Sequence, residues 1–206
     1  MLAAGLSTRM GSAKPLLRWR NATLLQHACA AARQGGADPI LVVADDPPWL
    51  QARAGDVGNV DWVRSSTPIS GQSHSLRAGL AAATEAAPDA AAVLIVLVDQ
   101  VGLREEAVRL ILSVVASSGA DAWVADYGVR PRAPGHPVAL GRPTWPLVER
   151  LRGDSGARAF LTQSKTSPTK VEWVPMPQAW RPLDCDTPDD YRRLLTLDSA
   201  DPQEET

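Results

Sequence analysis

The sequence has few cysteines, no long apolar run and no large excess of either charge, and each absence excludes a class of function. Its two cysteines, Cys29 and Cys185, lie too far apart to form a metal knuckle and are expected to be buried thiols. The apolar run of residues 90–98 is far shorter than the roughly 20 residues of a membrane span. The formal net charge is −2, so a nucleic-acid partner is not expected.

Signals for secretion and for nucleophilic hydrolysis are absent as well. Met1 leads straight into the first motif with no secretory signal, so a cytoplasmic protein is expected. No Gly-x-Ser-x-Gly elbow occurs, which argues against serine hydrolase chemistry. The 206 residues, 45% of them hydrophobic, suit one soluble domain, predicted over residues 1–197. The last nine residues hold four acids and no base, and 198–206 are expected to form a disordered acidic tail.

Apolar, strand-like runs alternate along the chain with segments of helical period. This alternation is typical of an α/β fold in which helices cover both faces of a mostly parallel sheet. The predicted strands are residues 1–4, 39–44, 60–64, 91–98, 120–125, 137–140 and 170–174. The predicted helices are residues 23–33, 73–87, 105–117, 143–152, 156–163 and 188–195, the last with Thr187 as its N-cap.

Residues 2–17 form the most informative segment, an apolar start followed by a loop of small residues and two cations. Glycines allow positive φ and a close approach of the backbone to a ligand, and the cations supply fixed positive charge. Such a loop suits a triphosphate, although it is also compatible with an ordinary turn, and it matches neither the Walker nor the dinucleotide pattern. The residues that give the loop its chemistry are Gly5, Ser7, Thr8, Arg9, Gly11, Ser12 and Lys14.

Carboxylates follow two of the extended segments. Asp99 ends the longest apolar run, where open parallel sheets place ligand-binding groups, and it is either a helix cap or a metal ligand. Asp184 and Asp186 are two residues apart, so they share one face of an extended segment, and Asp186 is preferred as a second metal contact. Asp189 and Asp190 open the last predicted helix, where acids favour the helix N-terminus, so a structural role is expected for both.

Two polar loops complete the candidate regions. Residues 71–75 enter a predicted helix whose N-terminal amides attract anions, and Ser73 suits the N-cap of that helix. Residues 127–135 contain Gly, Pro and Arg without strand alternation, which predicts a loop near the ligand or a mobile flap.

Six motifs occur in an order found in one enzyme family. They are Leu-Ala-Ala-Gly-x-Ser-x-Arg-Met-Gly-x-x-Lys-x-Leu-Leu at 2–17, Gly-Gln-Ser-His-Ser-Leu-Arg-Ala-Gly-Leu at 71–80, Val-Asp-Gln at 98–100, Gly-His-Pro-Val at 135–138, Gly-Asp-Ser-Gly-Ala-Arg at 153–158 and Asp-Cys-Asp-Thr-Pro-Asp-Asp-Tyr at 184–191. With them the chain resembles the MobA-like NTP transferases, which are related to molybdenum cofactor cytidylyltransferase and guanylyltransferase. The resemblance covers most of the chain and implies a three-layer α/β/α Rossmann-like fold of the nucleotide-diphospho-sugar transferase type.

The same resemblance implies a role for each motif. Arg9, Lys14 and Asp99 are the expected catalytic residues, with Asp99 and Asp186 as ligands of Mg²⁺. The residues expected to bind the nucleotide are Leu2, Ala3, Ala4, Gly5, Ser7, Arg9, Gly11, Lys14, Gly71, Ser73 and Ser75. The residues expected to bind the acceptor are His136, Asp154 and Arg158, with the alternative that Asp154 only caps the helix starting at Gly156.

The activity implied is transfer of CMP from CTP to a molybdopterin-type molybdenum cofactor, with release of pyrophosphate. Ala at position 4 goes with cytidine, where Gly would go with guanosine. Two alternatives stay open: the same chemistry on a sugar phosphate or another small phosphorylated acceptor, and a non-catalytic cofactor-binding chaperone for a recipient molybdoenzyme. The chain departs from the family pattern at Val101, where Pro is usual. Only Met1 precedes the first motif, so the first strand is expected to be short.

Overall fold

A central sheet, built from two hydrogen-bonded parts, organises the fold. The computed structural model describes residues 1–4, 10–65, 71–129, 131, 133–162 and 169–199. The strands are β1 (Arg18–Trp19), β2 (Ala22–Thr23), β3 (Leu41–Ala44), β4 (Asp61–Arg64), β5 (Ala92–Ile95), β6 (Gln100–Val101), β7 (Ala122–Asp126), β8 (Gly135–Gly141), β9 (Val171–Pro175) and β10 (Leu183–Asp184). The α-helices are α1 (Leu24–Gln34), α2 (Pro47–Ala54), α3 (Gln72–Ala86), α4 (Glu105–Ser117), α5 (Trp145–Arg150), α6 (Arg158–Leu161) and α7 (Pro188–Ser199).

The sheet is mostly parallel, as predicted, with one reversed strand. β3 and β4 pair in parallel and form one part. The other part has the order β5-β8-β7-β9, in which β8 runs antiparallel to both β5 and β7 while β9 is parallel to β7. Two further antiparallel pairs, β1 with β2 and β6 with β10, lie outside these parts.

Residues 1–3 join the two parts of the sheet. Leu2 forms parallel bridges to Val43 in β3 and to Leu97, which follows β5 in the sequence. The Leu2 amide donates to the carbonyl of Val96 at 2.8 Å, and the Ala3 amide donates to the carbonyl of Val43 at 2.9 Å. Of the four residues predicted to form the first strand, 1–4, Leu2 is the one that forms β-bridges. An apolar cavity of about 180 Å³, lined in part by residues of β3, β5 and α3, lies next to this junction.

Helices pack on both faces of the sheet because its strands are apolar on both sides. In β7, Ala122 and Val124 join the core beneath α3 and α5, whereas Trp123 and Ala125 join the core beneath α4. This alternation is the period-two placement of side chains in a strand. α1 begins with a capping box, in which the Gln26 amide donates to the Thr23 hydroxyl at 3.2 Å.

The last helix confirms the structural role expected for Asp190. The Asp190 carboxylate accepts hydrogen bonds from the Thr187 amide at 2.9 Å and the Thr187 hydroxyl at 2.7 Å, and the Asp190 amide donates back at 3.2 Å. These hydrogen bonds hold the pKa of Asp190 below its ordinary value. The helix continues to Ser199, two residues into the predicted tail, and residues 200–206 lie outside the described part of the chain.

Several predicted elements differ in extent. The predicted strand 91–98 ends at Ile95, the predicted helix 143–152 is a 3₁₀ turn (Arg142–Thr144) followed by α5, and the predicted helix 156–163 is reduced to α6. α2 was not predicted because eight residues opening with two prolines show little helical period.

Both cysteines are buried, as expected, and burial raises the pKa of each thiol to about 11. Among the described residues, no helix combines the length and apolar character needed to cross a membrane.

Candidate active site

A cluster of three charged residues lies where β6 meets β10. The two short strands pair antiparallel, and the Cys185 amide donates to the carbonyl of Asp99 at 2.9 Å, so the carboxyl-terminal motif lies beside the end of the longest apolar run. The Lys14 ammonium donates to Asp99 Oδ2 at 3.0 Å and to Asp186 Oδ1 at 2.6 Å. We refer to Lys14, Asp99 and Asp186 as the charged corner.

Val101 contributes to the local backbone instead of disrupting it. Its side chain is 4% exposed and packs in the core beneath α1. It pairs with Leu183 across the β6–β10 ladder. The residue at the position of the usual proline is therefore part of a strand that aligns the two carboxylates.

The electrostatics of the corner keep Lys14 charged. Its side chain is only 15% exposed, and this burial alone would lower its pKa. The hydrogen bonds that Lys14 donates to Asp186 and Asp99, together with the negative charges of both carboxylates, outweigh the burial, so the pKa of Lys14 lies above its ordinary value of 10.5. Lys14 is thus an ammonium at neutral pH.

The donor set of the corner fits a hard divalent cation. Two carboxylates contact one positively charged nitrogen, and carboxylate oxygens are the ligands that Mg²⁺ and Mn²⁺ prefer. In the described ranges, no group of three or more His, Cys, Asp or Glu side chains is placed to hold a metal. A cation bound here would therefore take its remaining ligands from phosphate and water, as Mg²⁺ usually does.

In the described part of the chain, the first motif contacts the charged corner through Lys14, whereas its first residues pack against the core. Leu2 lines a cavity described below, Ala3 packs against the core beneath α1, and Ala4 is partly buried. Gly11 has φ +72° with open space around it, and the 3₁₀ turn of Lys14–Leu16 follows. Three predicted nucleotide contacts, Gly5, Ser7 and Arg9, lie outside the described residues.

The start of α3 differs from the prediction. Gly71, with φ +79° and ψ 175°, is the N-cap, and no side chain caps the helix, so the interpretation of Ser73 as its cap was wrong. Ser73 is fully buried, and its hydroxyl has no hydrogen-bond partner among the described residues. The Ser75 hydroxyl lies 3.1 Å from the hydroxyl of Ser65, and both are buried. The proposed nucleotide contacts of Gly71, Ser73 and Ser75 stay predictions.

A polar cavity of about 350 Å³ adjoins the charged corner through β6 and β10. A volume of this size suits a small ligand. The predicted acceptor residues His136 and Arg158 line it, whereas Asp154 is exposed outside it. The other side chains of the cavity that can hydrogen-bond are those of Gln72, Gln100, Tyr127, Arg181 and Asp184.

His136 is held in the wall of the polar cavity in one protonation state. Its Nδ1 lies 3.3 Å from the carbonyl of Ile95, and the Tyr127 hydroxyl donates to the backbone carbonyl of His136 at 2.8 Å. Burial lowers the pKa of His136, and the opposing effects of the Ile95 carbonyl, Asp99 and Asp184 are smaller, so the ring is neutral at pH 7. Since a carbonyl only accepts, Nδ1 carries the proton and Nε2 carries a lone pair.

Two predicted motifs pack directly on each other beside this cavity. The Ser73 amide donates to the carbonyl of Gly153 at 3.1 Å, and a Cβ added to Gly71 would lie 2.3 Å from the carbonyl carbon of Gly153. α6 begins at Arg158 with no side-chain cap, so the alternative in which Asp154 caps a helix from Gly156 was wrong. The motif predicted to bind the nucleotide and the motif predicted to bind the acceptor therefore form one continuous wall.

The polar cavity also contains residues that were not among the predicted acceptor contacts. Gln100 donates from its amide nitrogen to Asp184 at 3.1 Å, and its buried amide oxygen has no hydrogen-bond partner in the described part of the chain. Because Gln100 follows Asp99 directly in the sequence, it could have been predicted to lie near the site. Arg181 lies in no motif, so nothing in the sequence points to it. Asp184, the second choice for a metal contact, faces this cavity, and Asp186 is the residue that reaches Lys14.

Similarity to known proteins extends over most of the chain. The sequence pattern of the MobA-like NTP transferase domain matches residues 1–168. Rv0371c from Mycobacterium tuberculosis H37Rv is 30% identical, with 95% of this chain and 94% of that chain covered and a TM-score of 0.75. Its homologue from Mycobacterium sp. strain JC1 is 29% identical, with 97% and 95% covered and a TM-score of 0.79.

Two further comparisons concern the metal and the fold. Rv0371c has also been crystallised in complex with manganese, at 30% identity to this chain, a TM-score of 0.74, and 95% of each chain covered. Molybdopterin-guanine dinucleotide biosynthesis protein A from Archaeoglobus fulgidus has a TM-score of 0.65 at 15% identity, with 97% of each chain covered, and shows the fold alone. A comparison with curated protein sequences found no match. The predicted α/β fold of the nucleotide-diphospho-sugar transferase type is confirmed.

Proposed function

Because this chain belongs to the MobA-like NTP transferase domain family and is a nucleotidyltransferase, we propose that it transfers CMP from CTP to the terminal phosphate of a molybdopterin-type cofactor. In this reaction an oxygen of the acceptor phosphate attacks the α-phosphorus of CTP. The bond from that phosphorus to the bridging oxygen breaks, and pyrophosphate leaves. The observation that carries the proposal is the contact of Lys14 with both Asp99 and Asp186 beside a polar cavity of suitable size.

The charged corner supplies what the donor half of the reaction needs. Asp99 and Asp186 would hold Mg²⁺, and a bound divalent cation neutralises phosphate charge as it develops. Lys14 lies beside the two carboxylates, where its ammonium can bind phosphate oxygens, and Arg9 is proposed to do the same from the loop. Fixing the α-phosphate between attacking and leaving groups lowers the entropic part of the barrier.

The polar cavity supplies what a phosphorylated acceptor needs. Arg158 and Arg181 line it, and neither forms an ion pair with an acid among the described residues. Guanidinium groups bind phosphate through paired hydrogen bonds, so an anionic acceptor is favoured. The neutral His136 adds a hydrogen-bonding group for the uncharged part of the acceptor.

The direct test is incubation of the purified protein with Mg²⁺, molybdenum cofactor and CTP, GTP or ATP in turn, followed by mass analysis. The expected result is pyrophosphate and a CMP adduct of the cofactor, formed from CTP alone. An adduct from GTP would overturn the choice of base. Transfer to a sugar phosphate but not to the cofactor would establish the alternative acceptor. Cofactor binding without pyrophosphate release would establish a chaperone.

A matched pair of arginine variants tests where the acceptor binds. Arg158→Gln removes a charge that lines the polar cavity, so the KM for the acceptor should rise by about tenfold, equivalent to ~1.4 kcal/mol, while the KM for CTP stays unchanged. Arg109→Gln removes an exposed charge on α4 that pairs with Glu105, and it should change neither constant. An unchanged acceptor KM in Arg158→Gln would place the acceptor phosphate elsewhere.

A further inference from the structure

The charged corner already contains a cation, the ammonium of Lys14. A single nitrogen contacts Asp99 at 3.0 Å and Asp186 at 2.6 Å, so the space between the two carboxylates holds one positive charge. With 15% of its side chain exposed, Lys14 is more enclosed than either partner, at 35% and 44%. The corner in this state is complete without any metal ion.

A divalent cation and this ammonium cannot share the position. A metal bound to both carboxylates would lie within a few ångströms of the nitrogen, where like charges repel strongly in a partly buried site. The ammonium contacts one oxygen of each carboxylate, Asp99 Oδ2 and Asp186 Oδ1, and a metal ion held between the two carboxylates would compete with it for that position. Metal binding therefore requires Lys14 to leave.

We propose that Lys14 stands in for the divalent cation in the nucleotide-free protein and is displaced when the metal arrives together with a triphosphate. The proposal rests on the proposed function, because the triphosphate oxygens receive the displaced ammonium. A lysine suits this exchange, since its compact charge sits on a flexible four-carbon stem. Its backbone opens the 3₁₀ turn that directly follows the loop of the first motif, so a small side-chain movement carries the charge from carboxylates to phosphates. The corner thus binds free metal weakly and metal with nucleotide strongly.

The test measures binding of Mn²⁺ to the nucleotide-free protein by electron paramagnetic resonance. In Lys14→Met the two carboxylates lose their internal cation, so free Mn²⁺ should bind at least about tenfold more tightly than in the wild-type protein. Lys14→Arg retains a positive charge and should bind as weakly as the wild type. Lys170→Met removes an exposed lysine that precedes β9 and should leave the affinity unchanged. Equal Mn²⁺ affinity in Lys14→Met and the wild type would overturn the proposal.

A second variant locates the gain in affinity. Adding Asp99→Asn to Lys14→Met should abolish the gain, because one of the two carboxylates is lost. If the gain persists, the Mn²⁺ binds elsewhere and the proposal is wrong. If Lys14→Met does not fold, Lys14→Gln replaces it, since glutamine also removes the charge.

Adding a non-hydrolysable CTP analogue separates this proposal from the proposed function. In the wild-type protein the analogue should raise Mn²⁺ affinity at least about tenfold. If the analogue raises the affinity while Lys14→Met leaves free Mn²⁺ binding unchanged, nucleotide binding stands and the stand-in role is overturned. If Lys14→Met gains affinity but the analogue has no effect, the ammonium does occupy the metal position, and the nucleotidyl transfer proposal is overturned instead.

Discussion

The charged corner and the polar cavity share β6 and β10 but are built in opposite ways. In the corner, three charged groups form two ion pairs of 3.0 Å or less, fixed by backbone pairing. In the cavity, Arg158, Arg181 and Asp184 are spread around about 350 Å³ and are bordered by loops. A dense cluster of charges suits the part of the phosphate chemistry that is the same for every acceptor. A wide cavity bordered by loops suits recognition, which changes from one acceptor to the next.

The largest effect should come from removing a carboxylate of the corner. Asp99→Asn keeps the shape of the side chain but removes its charge, so turnover should fall by about a thousandfold, equivalent to ~4 kcal/mol. The melting temperature should change little, because the carboxylate is partly exposed. Pyrophosphate release at limiting Mg²⁺ measures the effect. Near-normal turnover in Asp99→Asn together with a large loss in Asp186→Asn would reverse the ranking of the two carboxylates.

The next effect concerns the wall beside the polar cavity, where Gly71 packs on Gly153. Gly71 has φ +79° and ψ 175°, a conformation almost restricted to glycine, and an added Cβ would collide with the backbone of Gly153. Gly71→Ala should therefore cost about 2–3 kcal/mol of stability, measured by urea unfolding. Gly128→Ala has positive φ but open space and should cost less. Gly119→Ala has neither feature and should be neutral. Equal losses at all three positions would show that the contact with Gly153 is unimportant.

Neutralising either predicted phosphate-binding cation should have a moderate effect. Arg9→Ala and Lys14→Ala should each weaken triphosphate binding or transfer by at least about tenfold, or ~1.4 kcal/mol, because each removes a charge that stabilises phosphate oxygens. Steady-state kinetics with CTP as the varied substrate measures this effect. Unchanged kinetics in both variants would remove the first motif from the donor site.

The smallest effect is a difference in pH dependence between the two regions. Burial lowers the pKa of His136 below its ordinary 6.5, so the unfolded chain binds the proton more readily and stability is lost as pH falls below about 6.5. The pKa of Lys14 is raised, so its contribution is complete below 10.5 and is lost only in more alkaline solution. Between about pH 7.5 and about pH 5, urea unfolding should therefore show a shallower loss for His136→Gln than for the wild type. Lys14→Met should lose as much unfolding free energy over this pH range as the wild-type protein does. If Lys14→Met shows the shallower loss and His136→Gln does not, the pH dependence arises in the charged corner.

The sequence predicted the members of the corner better than their contact. Lys14, Asp99 and Asp186 each lie in a motif with a recognisable chemical character, and all three are brought together. Their contact depends on β6 and β10, and strands of two residues carry no periodic signal. Arg181 was missed for a different reason, because a lone arginine between motifs is indistinguishable from an exposed surface charge.

The same limit explains what was missed in the fold. The continuous apolar run of β7 and the long apolar face of α4 were strong signals, and both elements lie close to their predicted ranges. α2 and the β1–β2 hairpin are short, so capping and turn geometry decide them more than hydrophobic period does. In α2 the Asp46 side chain accepts from the Trp49 amide at 3.3 Å, and in the hairpin Arg20 adopts φ +53°.

The junction at Leu2 connects the first motif to both parts of the sheet, and so to the cooperative unfolding of the domain. Within the described part of the chain, the hydrogen bonds of residues 1–3 are what join β3 to β5, and the chain passes from residue 4 directly into the loop of the first motif. Opening those few bonds would divide the sheet into two separately exchanging units, which is how sub-global unfolding is defined. If a nucleotide contacts the first motif as proposed, its binding should also make this junction harder to open. Slower amide hydrogen exchange at Leu2, Ala3 and Val43 on addition of CTP would then report occupancy of a site whose reacting groups lie farther along the chain.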